Sequence, residues 1–125
     1  MIVLAVQSTT PSLGVAITDE GRTLGEIILP PAREHLENLA VMIRDLVRGL
    51  GIGLREVEGF GVATGPGSFS GIRVGLATVK GMALALSRPV AGIPSLEILA
   101  WEALKEGEIG APVIDARRGQ VYTAL

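Results

Sequence analysis

Gly59-Phe60-Gly61-Val62-Ala63-Thr64-Gly65-Pro66-Gly67-Ser68-Phe69-Ser70-Gly71-Ile72-Arg73-Val74-Gly75-Leu76-Ala77 decides how the chain is read. Its first six residues are an apolar run without charge, which predicts a buried strand over Gly59 to Thr64. A glycine-rich loop, Gly65 to Gly71, follows, and from Ile72 to about Leu86 the apolar residues recur at helical spacing. Strand, loop and helix in that order form a crossover unit, whose helix must return to a parallel sheet by a right-handed connection.

Working toward the amino terminus, Ile2 to Val6, Leu13 to Ile17 and Leu24 to Leu29 are three further apolar runs, separated by short turn-rich segments. Such spacing predicts an antiparallel meander, which Pro30-Pro31 ends. From Arg33 the period becomes helical, with Leu36, Leu39, Ala40, Ile43, Leu46, Val47 and Leu50 on one face of about four turns. Gly49, Gly51 and Gly53 offer left-handed caps there. Toward the carboxyl terminus a short strand is predicted at Val90 to Gly92. A helix runs from Pro94-Ser95 to Lys105, and a hairpin joins Val113-Ile114-Asp115 to Val121 through Leu125. The order βββαβαβα predicts an α/β lobe of the actin, Hsp70 and sugar-kinase class, ribonuclease H-like, with helices packed on a mixed sheet. Residues 1–110 are expected to form that lobe, and 111–125 the start of a truncated second one.

Composition narrows the function classes. At 125 residues the chain fits one core, and with 48% hydrophobic residues and a mean hydropathy of +0.48 some apolar surface is expected to meet a partner. No cysteine and a single histidine, His35, leave neither a disulfide framework nor a Cys/His zinc site. A net charge of −2 and four aromatic residues argue against binding RNA unaided. The uncharged stretch Gly59 to Ile72 is too short to span a bilayer, and Met1 to Gln7 lacks a basic leader. A cytoplasmic protein away from membranes is expected.

Each chemical motif has a structural reading beside it. The Gly65–Gly71 loop stands where backbone N–H groups and a helix dipole favour an anion. It lacks the Lys-Ser/Thr pair of a P-loop, and Pro66 removes a donor, so a tight structural turn is the competing reading. The Pro66-Gly67 pair suits a type II turn with positive φ at Gly67. Gln7, at the end of the first strand, stands where kinase-like folds place a metal-holding aspartate, and it has no carboxylate for a hard cation. Asp115 is either the matching second carboxylate or a turn former. His35, beside Glu34 and Glu37, is either a lone ligand or a surface residue. The Arg117-Arg118 pair either faces an anion or caps an exposed turn. No Ser-His-acid triad can be assembled. On the helix from Ile72, one stripe (Ile72, Leu76, Val79, Ala83, Leu86) can face the sheet. Val74, Ala77, Gly81 and Leu84 form a second stripe on the opposite side, which Val41 of the first helix could extend. That stripe is a candidate partner interface unless the third helix covers it.

The motifs also carry a resemblance. Gly65 through Ala77 resembles the signature of the TsaB family, departing at Ser70, where threonine is usual. Asp115-Ala116-Arg117-Arg118-Gly119-Gln120-Val121-Tyr122 resembles its second signature, with Gln120 in place of glutamate. Leu4 to Thr10, His35-Leu36-Glu37 and Pro94 to Glu97 fit the same family, and the likeness runs the full chain. It implies the actin-like fold of glycoprotease-like proteins and a role as a non-catalytic subunit. The family pairs with a TsaD-like catalytic subunit and an ATPase subunit to place threonylcarbamoyl on the adenosine beside the tRNA anticodon. No catalytic, cofactor or metal residue is implied; tRNA would be met only through the complex, and a homodimer is expected when the chain is alone. A kinase-like ATP-binding fragment and a free-standing homodimeric scaffold are the alternatives.

Overall fold

The computed structural model describes residues 1–31 and 36–124. Its elements are β1 (Ile2–Gln7), β2 (Leu13–Asp19), β3 (Arg22–Leu29), α1 (Leu39–Gly49), β4 (Gly59–Ala63), α2 (Phe69–Leu86), β5 (Val90–Ile93), α3 (Ser95–Ala103), β6 (Val113–Arg117) and β7 (Gln120–Thr123). Five strands make one sheet in the order β3-β2-β1-β4-β5. β1 and β2, like β2 and β3, pair antiparallel, whereas β4 runs parallel to both β1 and β5. The mixed sheet expected from the sequence is therefore formed by the meander and two crossovers.

Register explains where the core lies. Leu4 pairs with Ile17 and with Phe60, and Val6 with Val15 and with Val62, so these six side chains share one face. All six are buried there, under α1 on the β2–β3 side and α2 on β4. α1 contributes Leu39, Met42, Ile43, Leu46 and Val47, and α2 contributes Val79 and Ala83. Burying each large aliphatic side chain favours the fold by about 1.5–3 kcal/mol. β4 lies between parallel neighbours and is buried along its whole length, as a continuous apolar run requires.

Several boundaries differ from the sequence expectation. A 3-10 turn occupies Leu36–Asn38, so the α-helical part of α1 starts at Leu39, and Ala40 of the expected core stripe is exposed while Met42 is buried. Gly51, at φ 68°, closes the helix: its N–H donates to the Arg48 carbonyl and that of Ile52 to Val47. This double bond pattern needs a left-handed residue at the glycine. β3 carries a bulge, because Ile17 pairs with Gly25 and Thr18 with Thr23, leaving Leu24 over. α2 begins at Phe69, three residues before the expected start, because the Ser68 side chain accepts from Gly71 N–H and caps the first turn. By length and composition alone α2 is apolar enough to cross a membrane. In this fold it is the crossover between two parallel strands, buried at Gly71, Gly75, Val79 and Ala83. Ser95 is the first residue of α3 and does not cap it, because Pro94 holds the cap position. β6 and β7 form a separate two-stranded sheet with Val113, Val121 and Tyr122 exposed.

Candidate functional site

The parallel strands β1, β4 and β5 end at one edge of the lobe, where open α/β sheets carry their ligand crevices. There the chain places Gln7-Ser8-Thr9 after β1, the Gly65–Ser68 loop after β4 and Ser95 after β5. Ser8, Thr9 and Ser95 are buried, and each hydroxyl has a partner. Ser8 Oγ donates to the Gly71 carbonyl at 2.8 Å. Thr9 donates twice to Gln7 Oε1, from its N–H at 2.9 Å and its hydroxyl at 2.7 Å. Because a backbone N–H can only donate, the Gln7 atom it reaches is the carbonyl oxygen. The Thr9 proton is thereby used, so in the 2.6 Å contact with Ser95 the Ser95 hydroxyl donates to Thr9 Oγ1. Ser68 N–H donates to the Thr9 carbonyl at 2.7 Å and Ser95 N–H to the Gly65 carbonyl at 2.8 Å.

Three glycines make this closure possible. A Cβ on Gly67 would overlap the Thr9 carbonyl oxygen, one on Gly71 the Ser8 carbonyl oxygen, and one on Gly75 the Ser8 hydroxyl. Gly67 has the expected positive φ, but at 155° it is far from the roughly 80° of a type II turn, so the turn type is corrected. The loop wraps the Thr9 carbonyl instead, and the close backbone approach is what demands glycine there. The Gly65–Pro66 peptide is cis.

Two loop amides of a phosphate cradle, those of Ser68 and Gly71, are already spent on protein acceptors. This favours the structural-turn reading of the loop. Phe69, Ser70 and Arg73 point outward, with the Arg73 guanidinium 5.3 Å from the ring centroid of Phe69, itself 74% exposed. Asp115 lies on the separate hairpin and accepts from Arg117 N–H at 2.7 Å, a turn-forming role. Arg117, Arg118 and Gly119 all have positive φ, and these exposed arginines shape the tight connection of β6 to β7. His35 lies outside the described residues. Among the described residues, no group of three acids or histidines is placed to hold a metal.

The outer side of α2 contrasts with this closed cluster. Ala77, Gly81 and Leu84 are exposed, Leu84 by 84%, and nothing lies within 4 Å of where a Gly81 Cβ would sit. α3 therefore leaves this stripe open, and Val41 on α1 is 42% exposed as well. Val74 is the exception: it is half-buried and packs on the core, because it lies toward the flank of the helix. A groove of about 520 Å³ that sequence reasoning missed runs between the helices, lined by Ala40, Ile43, Val47, Ile52, Thr78 and Met82 among others. Ser8, Thr9, Ser95 and Gly75 also escaped separate notice. The available signal was a pair of hydroxyls directly after an apolar strand, with two glycines four residues apart on the helix facing it.

An antiparallel meander, two parallel crossovers and a cluster at the strand ends define an α/β lobe of the ribonuclease H-like class. At the level of fold alone, 80% of the chain matches 68% of Thermus thermophilus RuvC with a TM-score of 0.52 and 14% identity. A family model described as TsaD, tRNA N6-adenosine threonylcarbamoyltransferase, matches residues 23–125. Proteins named tRNA threonylcarbamoyladenosine biosynthesis protein TsaB from Bacillus subtilis and Escherichia coli are 32% and 33% identical, over 100% and 99% of this chain and 55% and 54% of theirs. A solved structure, YeaZ from Pseudomonas aeruginosa, matches 98% of this chain and 58% of its own at 37% identity, with a TM-score of 0.87. The chain belongs to the TsaB family, within the wider group that the TsaD model describes. It spans about half the length of the curated relatives it matches.

Proposed function

We propose that the chain serves threonylcarbamoyladenosine formation in tRNA as a non-catalytic subunit, binding a TsaD-like catalytic subunit through the outer face of α2. The observation that carries this reading is the open Ala77, Gly81 and Leu84 stripe on a helix whose other side is fully engaged. A solvated helix is polar on its outer face, and small residues there let a second helix approach closely. The names of the relatives support the pathway. An ATPase subunit joins the same complex, tRNA is met only through it, and the work is cytoplasmic. The chain holds no cofactor in this reading, since Gln7 spends its side-chain oxygen on Thr9 and offers no carboxylate. Residues 1–110 act as the lobe, and the β6–β7 hairpin, which among the described residues pairs with no strand of the main sheet, opens a second unit.

The test is size-exclusion chromatography with the TsaD-family subunit of the same organism. Ala77→Glu should abolish co-elution and reconstituted tRNA modification while circular dichroism stays unchanged. Unchanged co-elution would remove α2 from the interface.

A further inference from the structure

The two edge strands of the main sheet are built differently. β3 carries the Leu24 bulge and the exposed charges of Arg22 and Glu26, devices that discourage another strand from adding there. β5 has none of them: its pairing with β4 runs unbroken from Phe60 and Val90 to Ala63 and Ile93, and Val90-Ala91-Gly92-Ile93 carries no charge. Phe60 N–H donates to the Pro89 carbonyl at 3.0 Å and Thr64 N–H to the Ile93 carbonyl at 2.9 Å, which sets the phase of the ladder. Positions 89, 91 and 93 turn their backbone groups toward β4, so the N–H and C=O of Val90 and Gly92 point to the open edge. Among the described residues no strand meets them, and Val90, Ala91 and Gly92 are exposed. Gly92 has a reason inside the lobe to lack a side chain, since a Cβ there would lie 2.6 Å from Thr64 Cγ2. The same lack leaves its outward groups unscreened.

We propose that β5 pairs antiparallel with β5 of a second copy, joining two lobes into one continuous sheet across a two-fold axis at Ala91. This goes beyond the interface reading above and makes no use of α1 or α2. Val90 and Gly92 lie symmetrically about Ala91, so each exchanges N–H and C=O with the other in the mate, about four hydrogen bonds in all. The two Ala91 residues then form the close, non-hydrogen-bonded pair, with Cα atoms about 4.5 Å apart, where a small side chain fits. Length matches as well: Pro89 has no N–H and Pro94 follows the strand, so a longer foreign strand would gain little over a copy of β5. The charged residues nearest in sequence are Arg88 before the strand and Glu97 after it, both exposed, and antiparallel pairing sets unlike ends together. Glu56 and Glu58 share the Arg88 end, where they accept from the N–H groups of Gly53 and Ile2. So short an edge makes a reversible dimer, not an obligate one.

The chain has no cysteine, so Ala91→Cys introduces a single thiol that the two-fold axis places against its own copy. With oxidised glutathione and concentrated protein this variant should give a disulfide-linked dimer on a non-reducing gel, and adding Val90→Lys should lower the yield about fivefold or more. Circular dichroism checks that both variants keep the fold. No covalent dimer from Ala91→Cys, with ready cross-linking of Leu84→Cys on α2, overturns the proposal. Amide exchange on the unmodified chain gives a second readout. Raising the concentration should slow exchange at Val90 and Gly92 about tenfold or more and leave the already bonded Ala91 and Ile93 unchanged. Exchange at Val90 and Gly92 that ignores concentration overturns the pairing. So does protection that appears only when the TsaD-family subunit is added, which would give this edge to a foreign strand.

Discussion

At Gly75 a Cβ would overlap the Ser8 hydroxyl, whereas at Gly81, farther along the same helix, nothing lies within 4 Å. One side of α2 touches the end of β1 so closely that only hydrogen fits, and the other side is open to solvent. The same residue type therefore marks closest packing in one place and an unoccupied surface in the other. The closed side also accounts for the polar cluster, since Ser8 and Thr9 can be buried only because Gly71, Gln7 and Ser95 supply partners for their hydroxyls. The inner face is a matter of stability, and the outer face is where association is proposed.

The sharpest way to break this contrast is Gly71→Ala. Its methyl would overlap a backbone carbonyl, Ser8 O, which cannot rotate away, so urea unfolding should show a loss of about 3 kcal/mol. A wild-type midpoint would mean that the end of β1 yields freely and that the inner face is not closed. Thr9→Val keeps the shape but leaves the buried Ser95 hydroxyl without its acceptor, and should cost about 2 kcal/mol in the same experiment. Ser68→Ala removes the cap of α2 and should cost about 1 kcal/mol. Less than a few tenths would show the first turn held by the loop rather than by the cap.

On the outer face the sign should reverse. Gly81→Ala adds a methyl to an exposed helix interior with room for it, and should stabilise the isolated chain by about 0.5–1 kcal/mol. Weaker binding of the TsaD-family subunit by the same variant would show that the partner backbone approaches this glycine closely. The smallest effect lies away from α2, at the amino terminus. The Met1 ammonium donates hydrogen bonds to the carboxylates of Glu20 and Asp19, and these raise its pKa from 8.0 to about 10. A folded pKa above the unfolded one contributes stability that is complete below pH 8 and is lost as pH rises through 10. The pair is exposed, so only a shallow slope in that window is expected. Acetylating the amine should flatten it, and an equally steep slope after acetylation would assign the titration elsewhere.

How much of this was legible before folding depends on the range of the contact involved. The apolar runs of β1, β2 and β4 and the stripes of α1 and α2 repeat over a few residues, so periodicity was enough to place them and to imply the mixed sheet. The extra residue Leu24 in β3 was hidden, because a bulge depends on the partner strand as well as on the bulged one. The start of α2 was hidden by its own signal, since Ser70-Gly71 looked like loop although Ser68 caps the helix before them. The type II turn failed for a related reason: Pro66-Gly67 is a sound local pattern, overridden by the Thr9 carbonyl. Val74 was placed with the outer stripe, because a helical wheel does not show how far core packing reaches around the helix.

By itself the sequence determined the order of elements, the family motifs, the absence of cysteine and the replacement of a strand-end carboxylate by Gln7. It also marked α2 as apolar nearly all round. Only the tertiary structure decided which face of that helix is used, because the deciding contacts join residues remote in sequence. Ser8 meets Gly71 across 63 positions and Thr9 meets Ser95 across 86. Those distances close only when β1, β4 and β5 lie side by side in parallel, and that order is a property of the assembled sheet.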